Sequence, residues 1–231
     1  MTTPPDQPII IHHIEGRRSE RIAWLCEEFG WPYELRYVPG DLVASLEALG
    51  EAHVMRMAPI VDIGATRMVE SAAILEYLLL RHGDGRFRPA HDRPEIADYL
   101  QWLHFAEGSG MFRALIERMI LQLTDYKPPA EVAYVYVGGS RRVLDFAEAT
   151  LATRPYFAGD AFTAADIMMH FPLRAAGLVL DPEAPLTAIF SDTRCGLGAY
   201  PHINAFLDRI VARPAFQRAM AATMPSGPPP R

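Results

Sequence analysis

A glutamate and a serine, Glu70 and Ser71, stand together where the sequence changes from a strand pattern to a helix pattern. A serine in that place ordinarily caps the helix, because its hydroxyl accepts a hydrogen bond from an unpaired N–H of the first turn. The same unpaired N–H groups and the helix dipole also attract a carboxylate. Ser71 therefore has two interpretations, a helix cap or a donor to a bound carboxylate.

Other chemistry-bearing residues are sparse. Cys26 and Cys195 are too few for a disulfide framework or a four-thiolate metal site, and the absence of a CxxC pair argues against dithiol exchange. The adjacent histidines His12 and His13 would point to opposite faces of a strand, which is a poor start for a metal site. The short motifs for phosphate, dinucleotide, acyl-transfer and zinc chemistry are absent. No metal is expected.

Charge and hydropathy narrow the possible partners. The chain carries 28 acidic and 22 basic residues, a formal charge of -6, with no basic run to replace the counterions of a nucleic acid. No apolar run reaches the roughly 20 residues that cross a bilayer. The first residues contain no basic segment followed by a long apolar one, so they do not resemble a secretion signal. We expect a cytoplasmic protein that binds neither nucleic acid nor membrane.

The first third of the chain is predicted to alternate strands and helices. Apolar positions in its first helix recur with helical spacing and place Arg21, Glu27 and Glu28 on the outer face. In order, the predicted elements are a strand at 8–11, a helix at 21–29 ended by Gly30, a strand at 33–38, a weaker helix at 41–52, strands at 60–63 and 67–69 about Gly64, and a helix at 72–81. This βαβαββα order predicts parallel outer strands in the first βαβ unit.

The remainder is predicted to be helical. A Gly, Arg and Pro-rich stretch at 84–93 indicates a linker, which divides a first domain at 1–83 from a helical domain at 94–223. Thr163 followed by Asp166 predicts a capping box, and Gly138–Gly139 indicates a helix break or a close helix contact. The predicted helices lie at 94–124, 129–153, 163–176, 200–212 and 214–222, and a Pro-rich tail follows at 224–231.

Several segments, in order and at family spacing, resemble the glutathione transferases, and most closely a bacterial and fungal subgroup. In the first domain these segments are RIAWLCEEFGWPYE from Arg21, APIV from Ala58 and VESAAI from Val69. In the helical domain they are WLHFAEGS from Trp102, FTAADI from Phe162 and AYPHINAF from Ala199. The resemblance implies a thioredoxin-like βαβαββα domain followed by an all-helical domain, with glutathione as co-substrate and the protein as a homodimer.

The resemblance also assigns residues to the glutathione site. Pro59 matches a cis-proline that turns the backbone of the preceding residue, here Ala58, toward the cysteinyl part of glutathione, and Ile60 follows in the same segment. Ser71 would bind the γ-glutamyl carboxylate and Glu70 the γ-glutamyl ammonium. From the sequence alone, an ordinary trans-proline that opens a strand is the more frequent case.

Two positions depart from the subgroup's pattern. Where relatives carry a basic residue for the glycyl carboxylate, this chain has Met57, and the nearest cation is Arg56, which we expect to substitute. Where relatives carry a serine, cysteine or tyrosine that stabilises the glutathione thiolate, this chain has Arg17, with Ser19 two residues later. Either a guanidinium charge or a hydroxyl can lower a thiol pKa, so Arg17 and Ser19 are both candidates for catalysis.

His104, Glu107 and Met111 lie on a helix that the resemblance assigns to the pocket of the second substrate, and packing roles are the alternative. The implied reaction is attack of the glutathione thiolate on a small apolar electrophile, or a related peroxide reduction, dehalogenation or ether cleavage. The competing hypothesis is a non-catalytic glutathione sensor or interaction module of the same fold, which Arg17 and Met57 favour. A dithiol oxidoreductase is disfavoured because residues 14–19 contain no cysteine.

Overall fold

The computed structural model describes residues 5, 7–122, 127–181, 183–184 and 194–225, and the chain forms two compact units. Residues 1–90 and 210–231 form the first unit, and residues 91–209 form the second. The division at residue 90 falls within the stretch that the sequence predicts as a linker. The predicted tail lies outside the described residues from position 226 onward, and so does the end of the predicted helix 94–124.

The first unit is thioredoxin-like, with a four-stranded mixed sheet flanked by helices. Its sheet has the order β2-β1-β3-β4, in which β1 pairs parallel with β2 and antiparallel with β3, and β3 pairs antiparallel with β4. The parallel pair confirms the βαβ prediction. The elements are β1 (Ile9–His12), α1 (Glu20–Phe29), β2 (Tyr33–Arg36), α2 (Leu42–Ala52), β3 (Ile60–Ile63), β4 (Thr66–Val69) and α3 (Ser71–His82).

The helix α1 ends where its sequence predicts, at Gly30, which has a left-handed φ of 68°. Its outer face differs from the prediction, because every residue from Glu20 to Cys26 is buried. Arg21, predicted to face solvent, is only 1% exposed. The physical reason is that α1 packs against α3 and also against the last helix of the chain, so its N-terminal half has no solvent side.

That last helix, α10 (Pro214–Thr223), belongs to the first unit rather than to the helical domain in which the sequence placed it. It packs on α1 through the rings of Trp24 and Phe216, whose centroids lie 4.9 Å apart. Arg213, just before α10, donates to both carboxylate oxygens of Glu28 at 2.7 and 2.8 Å. Apolar packing and a bidentate ion pair together hold α10 against this unit.

In the described part of the second unit, the regular elements are helices. Its core contains the fully buried Trp102 and Phe157, whose ring centroids lie 4.6 Å apart. The helices are α4 (Glu95–Phe105), a π-helical segment (Ala106–Met111), α5 (Phe112–Gln122), α6 (Ala130–Tyr136), α7 (Gly139–Leu151), α8 (Ala164–Leu180) and α9 (Pro201–Val211), whose last two residues fall in the first unit.

Two of the long predicted helices are interrupted. The first contains the π-helical segment, and a Cβ added at its Gly110 would lie only 3.0 Å from the Cβ of Pro172 on α8. The second stops after Tyr136 and restarts at Gly139, with Gly138 in the left-handed region at a φ of 77°. The N–H groups of Gly138 and Ser140 donate to the buried carboxylate of Glu117, which caps the new helix.

The capping box predicted at the start of α8 is present. Asp166 is fully buried, and its carboxylate accepts hydrogen bonds from the N–H of Phe157 at 2.8 Å and from the N–H of Thr163 at 2.7 Å. The Thr163 hydroxyl donates to the same carboxylate at 3.1 Å. Burial raises the pKa of Asp166 to about 6, despite these hydrogen bonds.

Candidate functional site

The sheet brings three of the predicted site segments to one end of its strands. Ile60, the first residue of β3, pairs with Val69 at the end of β4 and with His12 at the end of β1. The loop that follows β1 therefore begins at the same end of the sheet as the Ala58–Pro59 step and the Glu70–Ser71 turn.

The Ala58–Pro59 peptide bond is cis, the isomer that the resemblance implies. Pro59 and Ile60 are buried and lead into β3, whereas Ala58 is half-buried. Neither the N–H nor the C=O of Ala58 forms a backbone hydrogen bond with another described residue. Because a backbone N–H and C=O normally find partners, an extended peptide ligand could pair with Ala58 as a further strand would.

Glu70 and Ser71 form the turn between β4 and α3. Glu70 is exposed and has a φ of 73° and a ψ of 105°, a region that non-glycine residues rarely occupy. Strained backbone of this kind costs about 1–3 kcal/mol and is concentrated at functional sites. The Glu70 side chain forms no capping hydrogen bond with α3, so its carboxylate does not serve as a helix cap.

Ser71 is the first residue of α3, and its side chain is nearly buried at 3% exposure. Its hydroxyl accepts a hydrogen bond of 2.9 Å from Nη1 of Arg21. The sequence analysis did not identify Arg21 as a site residue, because helical periodicity placed it on the outer face of α1. Among the sequence signals, only its position in the first turn of α1, just after the Arg17–Ser19 loop, could have suggested a role.

The two candidates for thiolate stabilisation occupy different surroundings. Arg17 is exposed, and its Nη1 donates to the carbonyl of Gly16 at 3.1 Å. Loss of hydration and the neighbouring charge of Arg18 lower the pKa of Arg17, although a guanidinium stays protonated at neutral pH. Ser19, in contrast, is fully buried, and its Oγ lies 2.7 Å from Nδ1 of His13.

His13 determines what the Ser19 hydroxyl can do. Its Nε2 lies 2.8 Å from the backbone carbonyl of Thr223 at the end of α10, and a carbonyl can only accept a hydrogen bond. In the neutral imidazole, the proton is therefore on Nε2, and Nδ1 accepts from Ser19. Burial lowers the pKa of His13 and favours this neutral form, so the single proton of Ser19 is directed at His13.

Arg56 and Met57 lie on the surface just before Ala58. Arg56 is exposed with a φ of 49°, and its guanidinium lies against α2, where a Cβ added at Gly50 would be 2.7 Å from its Nε. Among the described residues, the Arg56 side chain has no ion pair or hydrogen bond. Met57 is 51% exposed. Arg56, the residue that the sequence analysis proposed for the glycyl carboxylate, thus has no charged partner among the described residues and lies beside α2.

The helical unit places its three candidate residues at different depths. His104 near the end of α4 is exposed, Glu107 in the π-helical segment is half-buried, and Met111 at the end of that segment is 4% exposed. A π-helical turn inserts one extra residue and redirects the side chains on either side of it, and such turns are frequent at functional sites. The depth of Met111 is typical of a packing residue.

Both cysteines are unsuited to redox chemistry or nucleophilic attack. Cys26 is fully buried in α1, and burial together with the nearby Glu27 raises the pKa of its thiol far above the physiological range. Cys195 is also buried, and neither forms a disulfide.

Within the described parts of the chain, no three His, Cys, Asp or Glu side chains gather in a way that could hold a metal ion. None of the described helices combines the length and the apolar character that membrane spanning requires.

Comparison with known proteins finds glutathione S-transferases by sequence and by structure. The model of the family described as glutathione S-transferase, C-terminal domain, matches residues 118–214. Glutathione S-transferase 3 of Schizosaccharomyces pombe is 35% identical over 187 residues, which cover 73% of this chain and 74% of the relative.

Solved structures extend the likeness over nearly the whole chain. A glutathione S-transferase of Actinobacillus pleuropneumoniae has a TM-score of 0.75 and 26% identity, covering 95% of this chain and 94% of that chain. A glutathione transferase homologue of Lodderomyces elongisporus, solved with two GSH per subunit, has a TM-score of 0.70 at 17% identity and covers 94% of this chain and 99% of its own, which supports the fold. By its sequence identity to the fungal relative over most of both lengths, the chain belongs to the glutathione S-transferase family.

Proposed function

We propose that the protein binds glutathione at the end of the sheet where the Ala58–Pro59 step and the Glu70–Ser71 turn lie. We also propose that it adds the glutathione sulfur to an apolar electrophile. The observation that carries the proposal is that the β3–β4 register ends at the Ile60–Val69 pair, so the Ala58–Pro59 step and the Glu70–Ser71 turn lie at the same end of the sheet. Glutathione is a tripeptide with a carboxylate at each end, and this end of the sheet offers a backbone partner between two places suited to anions.

Each part of glutathione has a proposed partner. The backbone of Ala58 pairs with the cysteinyl residue, while the buried Pro59 and Ile60 hold that backbone in place. The Ser71 hydroxyl and the first N–H groups of α3 bind the γ-glutamyl carboxylate, and the exposed Glu70 binds the adjacent ammonium. The uncommitted guanidinium of Arg56 binds the glycyl carboxylate, which requires its side chain to turn away from α2.

The chemistry consists of thiolate formation and attack. Loss of the thiol proton to solvent gives the thiolate, which forms a C–S bond while the electrophile's bond to its leaving group breaks and the leaving group departs with the electron pair. A thiol of pKa about 8.5 is mostly protonated at neutral pH, and lowering that value by about two units requires roughly 2.7 kcal/mol of preferential stabilisation of the anion. The protein has to supply that stabilisation next to the sulfur.

Of the two candidates, Arg17 fits this requirement better than Ser19. The Ser19 proton is directed at His13 inside the unit, whereas Arg17 is exposed and carries a full positive charge. A cation near the start of α1 also adds to the positive end of the helix dipole. We therefore assign thiolate stabilisation to Arg17, with Ser19 in a supporting structural role.

The test of the binding site is the Ser71→Ala substitution. Because a charge-assisted hydrogen bond to the carboxylate is lost, glutathione should bind about 5- to 30-fold more weakly, equivalent to roughly 1–2 kcal/mol. Isothermal titration calorimetry measures the change. Ser45→Ala is the matched control, since Ser45 is a buried serine of the same unit whose hydroxyl bonds to the backbone of Val38. Equal affinity in Ser71→Ala and wild type, with both folded, would contradict the assignment.

The test of the catalytic assignment is the pKa of the bound thiol. Arg17→Ala should raise that pKa by about one unit or more, equivalent to roughly 1.4 kcal/mol, because the stabilising charge is removed. Ultraviolet absorbance of the thiolate, titrated against pH with glutathione bound, measures the shift. Ser19→Ala should leave the pKa unchanged where the variant folds. A shift in Ser19→Ala alone would transfer the role to Ser19.

A non-catalytic glutathione-binding protein is the second candidate function. It is favoured by the burial of the Ser19 hydroxyl and by the absence of a hydroxyl or thiol at position 17. Turnover of a generic aryl halide separates the two functions. Binding of glutathione with no thiolate signal and no turnover would support the sensor, while measurable turnover that depends on Arg17 would support the enzyme.

The second substrate and the assembly complete the proposal. His104, Glu107 and Met111 are proposed contacts of the electrophile, and the exposed His104 is the most accessible of them. The proposed reaction is addition of glutathione to a small apolar electrophile. Peroxide reduction, dehalogenation and ether cleavage are the related reactions that we include in the proposal. We also propose that the protein works as a homodimer in the cytoplasm.

A further inference from the structure

Arg21 is buried to a degree that is rare for an arginine. It is 1% exposed and is among the largest fully buried side chains of the first unit. Removing a guanidinium from water is unfavourable unless charges or hydrogen bonds replace its hydration. The contact that links it to the candidate site is the 2.9 Å hydrogen bond from its Nη1 to the hydroxyl oxygen of Ser71.

That hydrogen bond fixes the direction of the Ser71 hydroxyl. A hydroxyl has one proton to donate, and a guanidinium has no acceptor, so the Ser71 oxygen must accept from Arg21 and its own proton must point elsewhere. Ser71 opens α3, where the first N–H groups also lack partners within the helix. The bond from Arg21 therefore occupies one acceptor position of the Ser71 oxygen and turns the hydroxyl proton away from Arg21.

The charge of Arg21 acts in the same sense. It lies one side chain away from the N-terminus of α3, where the helix dipole already favours an anion, and the burial of both side chains limits screening by solvent. A hydrogen bond that a charged donor polarises also makes the hydroxyl proton a better donor in turn. Charge, hydroxyl direction and helix dipole all select an anion over a neutral group.

We infer that Arg21 is a positioning residue for the γ-glutamyl carboxylate of glutathione, acting through the Ser71 hydroxyl. The inference rests on the proposed function, because it concerns the same binding site. It adds a residue on α1 to a site otherwise made from β3, β4 and α3. It also gives a reason for a buried cation in the first turn of α1.

The experiment compares two ligands in several variants. The first ligand is glutathione, and the second is 4-aminobutyryl-cysteinyl-glycine, which is glutathione without the γ-glutamyl carboxylate. Arg21→Met should weaken glutathione about tenfold or more but the analogue by less than about threefold, because only glutathione has the carboxylate that the charge and the oriented hydroxyl recognise. Arg21→Lys, which keeps the charge, should lose less affinity for glutathione than Arg21→Met.

The controls separate this role from a purely structural one. Arg81→Met removes the same charge from the exposed last turn of α3 and should change neither affinity. Equal weakening of both ligands in Arg21→Met would overturn the inference, since a general disturbance of the fold would affect them alike. If Arg21→Met does not fold, the decision passes to Arg21→Lys, where equal weakening of both ligands would overturn the inference and selective weakening of glutathione would support it. Failure of the wild type to bind either ligand would contradict the proposed function itself, a different result.

Discussion

Substitution of Asp166 by alanine should lower the free energy of unfolding of the helical unit by about 3–5 kcal/mol, because three buried donors lose their acceptor at once. Those donors are the N–H of Phe157 and the N–H and O–H of Thr163. Each unsatisfied buried donor costs about 1–3 kcal/mol, and the loss of a helix cap contributes in the same direction. Urea unfolding at pH 8, where the carboxylate is charged, measures the effect.

Asp160 provides the matched control for this prediction. It is an exposed aspartate in the loop before α8, six residues before Asp166, and it has no hydrogen bond to another described side chain. Asp160→Ala should change the free energy of unfolding by no more than about 0.5 kcal/mol. Similar losses in Asp160→Ala and Asp166→Ala would show that the buried network is not the source of the stability.

The same residue gives the helical unit a dependence on pH. Because burial raises the pKa of Asp166 to about 6 from 3.8, the folded state holds that proton more tightly than the unfolded chain does. The contribution of this group to stability is therefore greatest below pH 3.8 and decreases as the pH rises to about 6, by about 3 kcal/mol in all. Asp166→Asn, which does not titrate, should lack this slope when compared with the wild type.

The order of elements in the first unit could be predicted because its boundaries are local. Gly30 and Gly64 both adopt positive φ values, and each ends an element at the place where the sequence puts a break. The strands of this unit are four residues long, and α1 repeats apolar residues with helical spacing, so the sequence pattern distinguishes strands from helices. The parallel pairing of β1 and β2 then followed from the chirality and length of the connection.

The interruptions in the helical unit could not be predicted from periodicity, because they depend on contacts distant in sequence. The π-helical segment at 106–111 coincides with the close approach of Gly110 to Pro172, more than sixty positions away. The break at Gly138 is held by the carboxylate of Glu117 from another helix. The two glycines at 138 and 139 indicated only that a break or a close contact was present.

The candidate site shows the same division between local and distant information. Pro59, Glu70 and Ser71 could be nominated because each stands at a boundary between elements and within a family segment. Arg21 could not, because its burial results from α3 and α10 covering α1 on two sides. The hydrogen bonds around Ser19 were equally hidden, since its partner His13 also bonds to the carbonyl of Thr223, which lies 210 positions beyond His13 in the chain.

Substitution of His13 by phenylalanine should destabilise the first unit by about 3–5 kcal/mol, because it keeps a ring of similar size but leaves two buried polar groups without partners. Those groups are the hydroxyl of Ser19 and the carbonyl of Thr223, which the two imidazole nitrogens now join at 2.7 and 2.8 Å. The carbonyl belongs to α10, so the substitution should also loosen the last helix. Hydrogen exchange of the α10 amides, together with urea unfolding, measures both effects.

His202→Ala is the control, because His202 is an exposed histidine near the start of α9. It should leave the unfolding free energy within about 0.5 kcal/mol of the wild type. If His13→Phe were as stable as His202→Ala, the buried chain from Ser19 through His13 to Thr223 would not hold α10 in place.

The pH dependence of the first unit gives an independent test of the same network. Burial lowers the pKa of His13 below its ordinary 6.5, so the unfolded chain binds this proton more tightly than the folded state does. The stability associated with His13 is then fully present above pH 6.5 and is lost as the pH falls below that value, by about 1.4 kcal/mol per pH unit until the folded-state pKa is reached. His13→Phe should remove this acid sensitivity. Below the lowered pKa of folded His13, protonation would place a proton on Nδ1 and make His13 the donor to Ser19, which reverses the direction of that hydrogen bond.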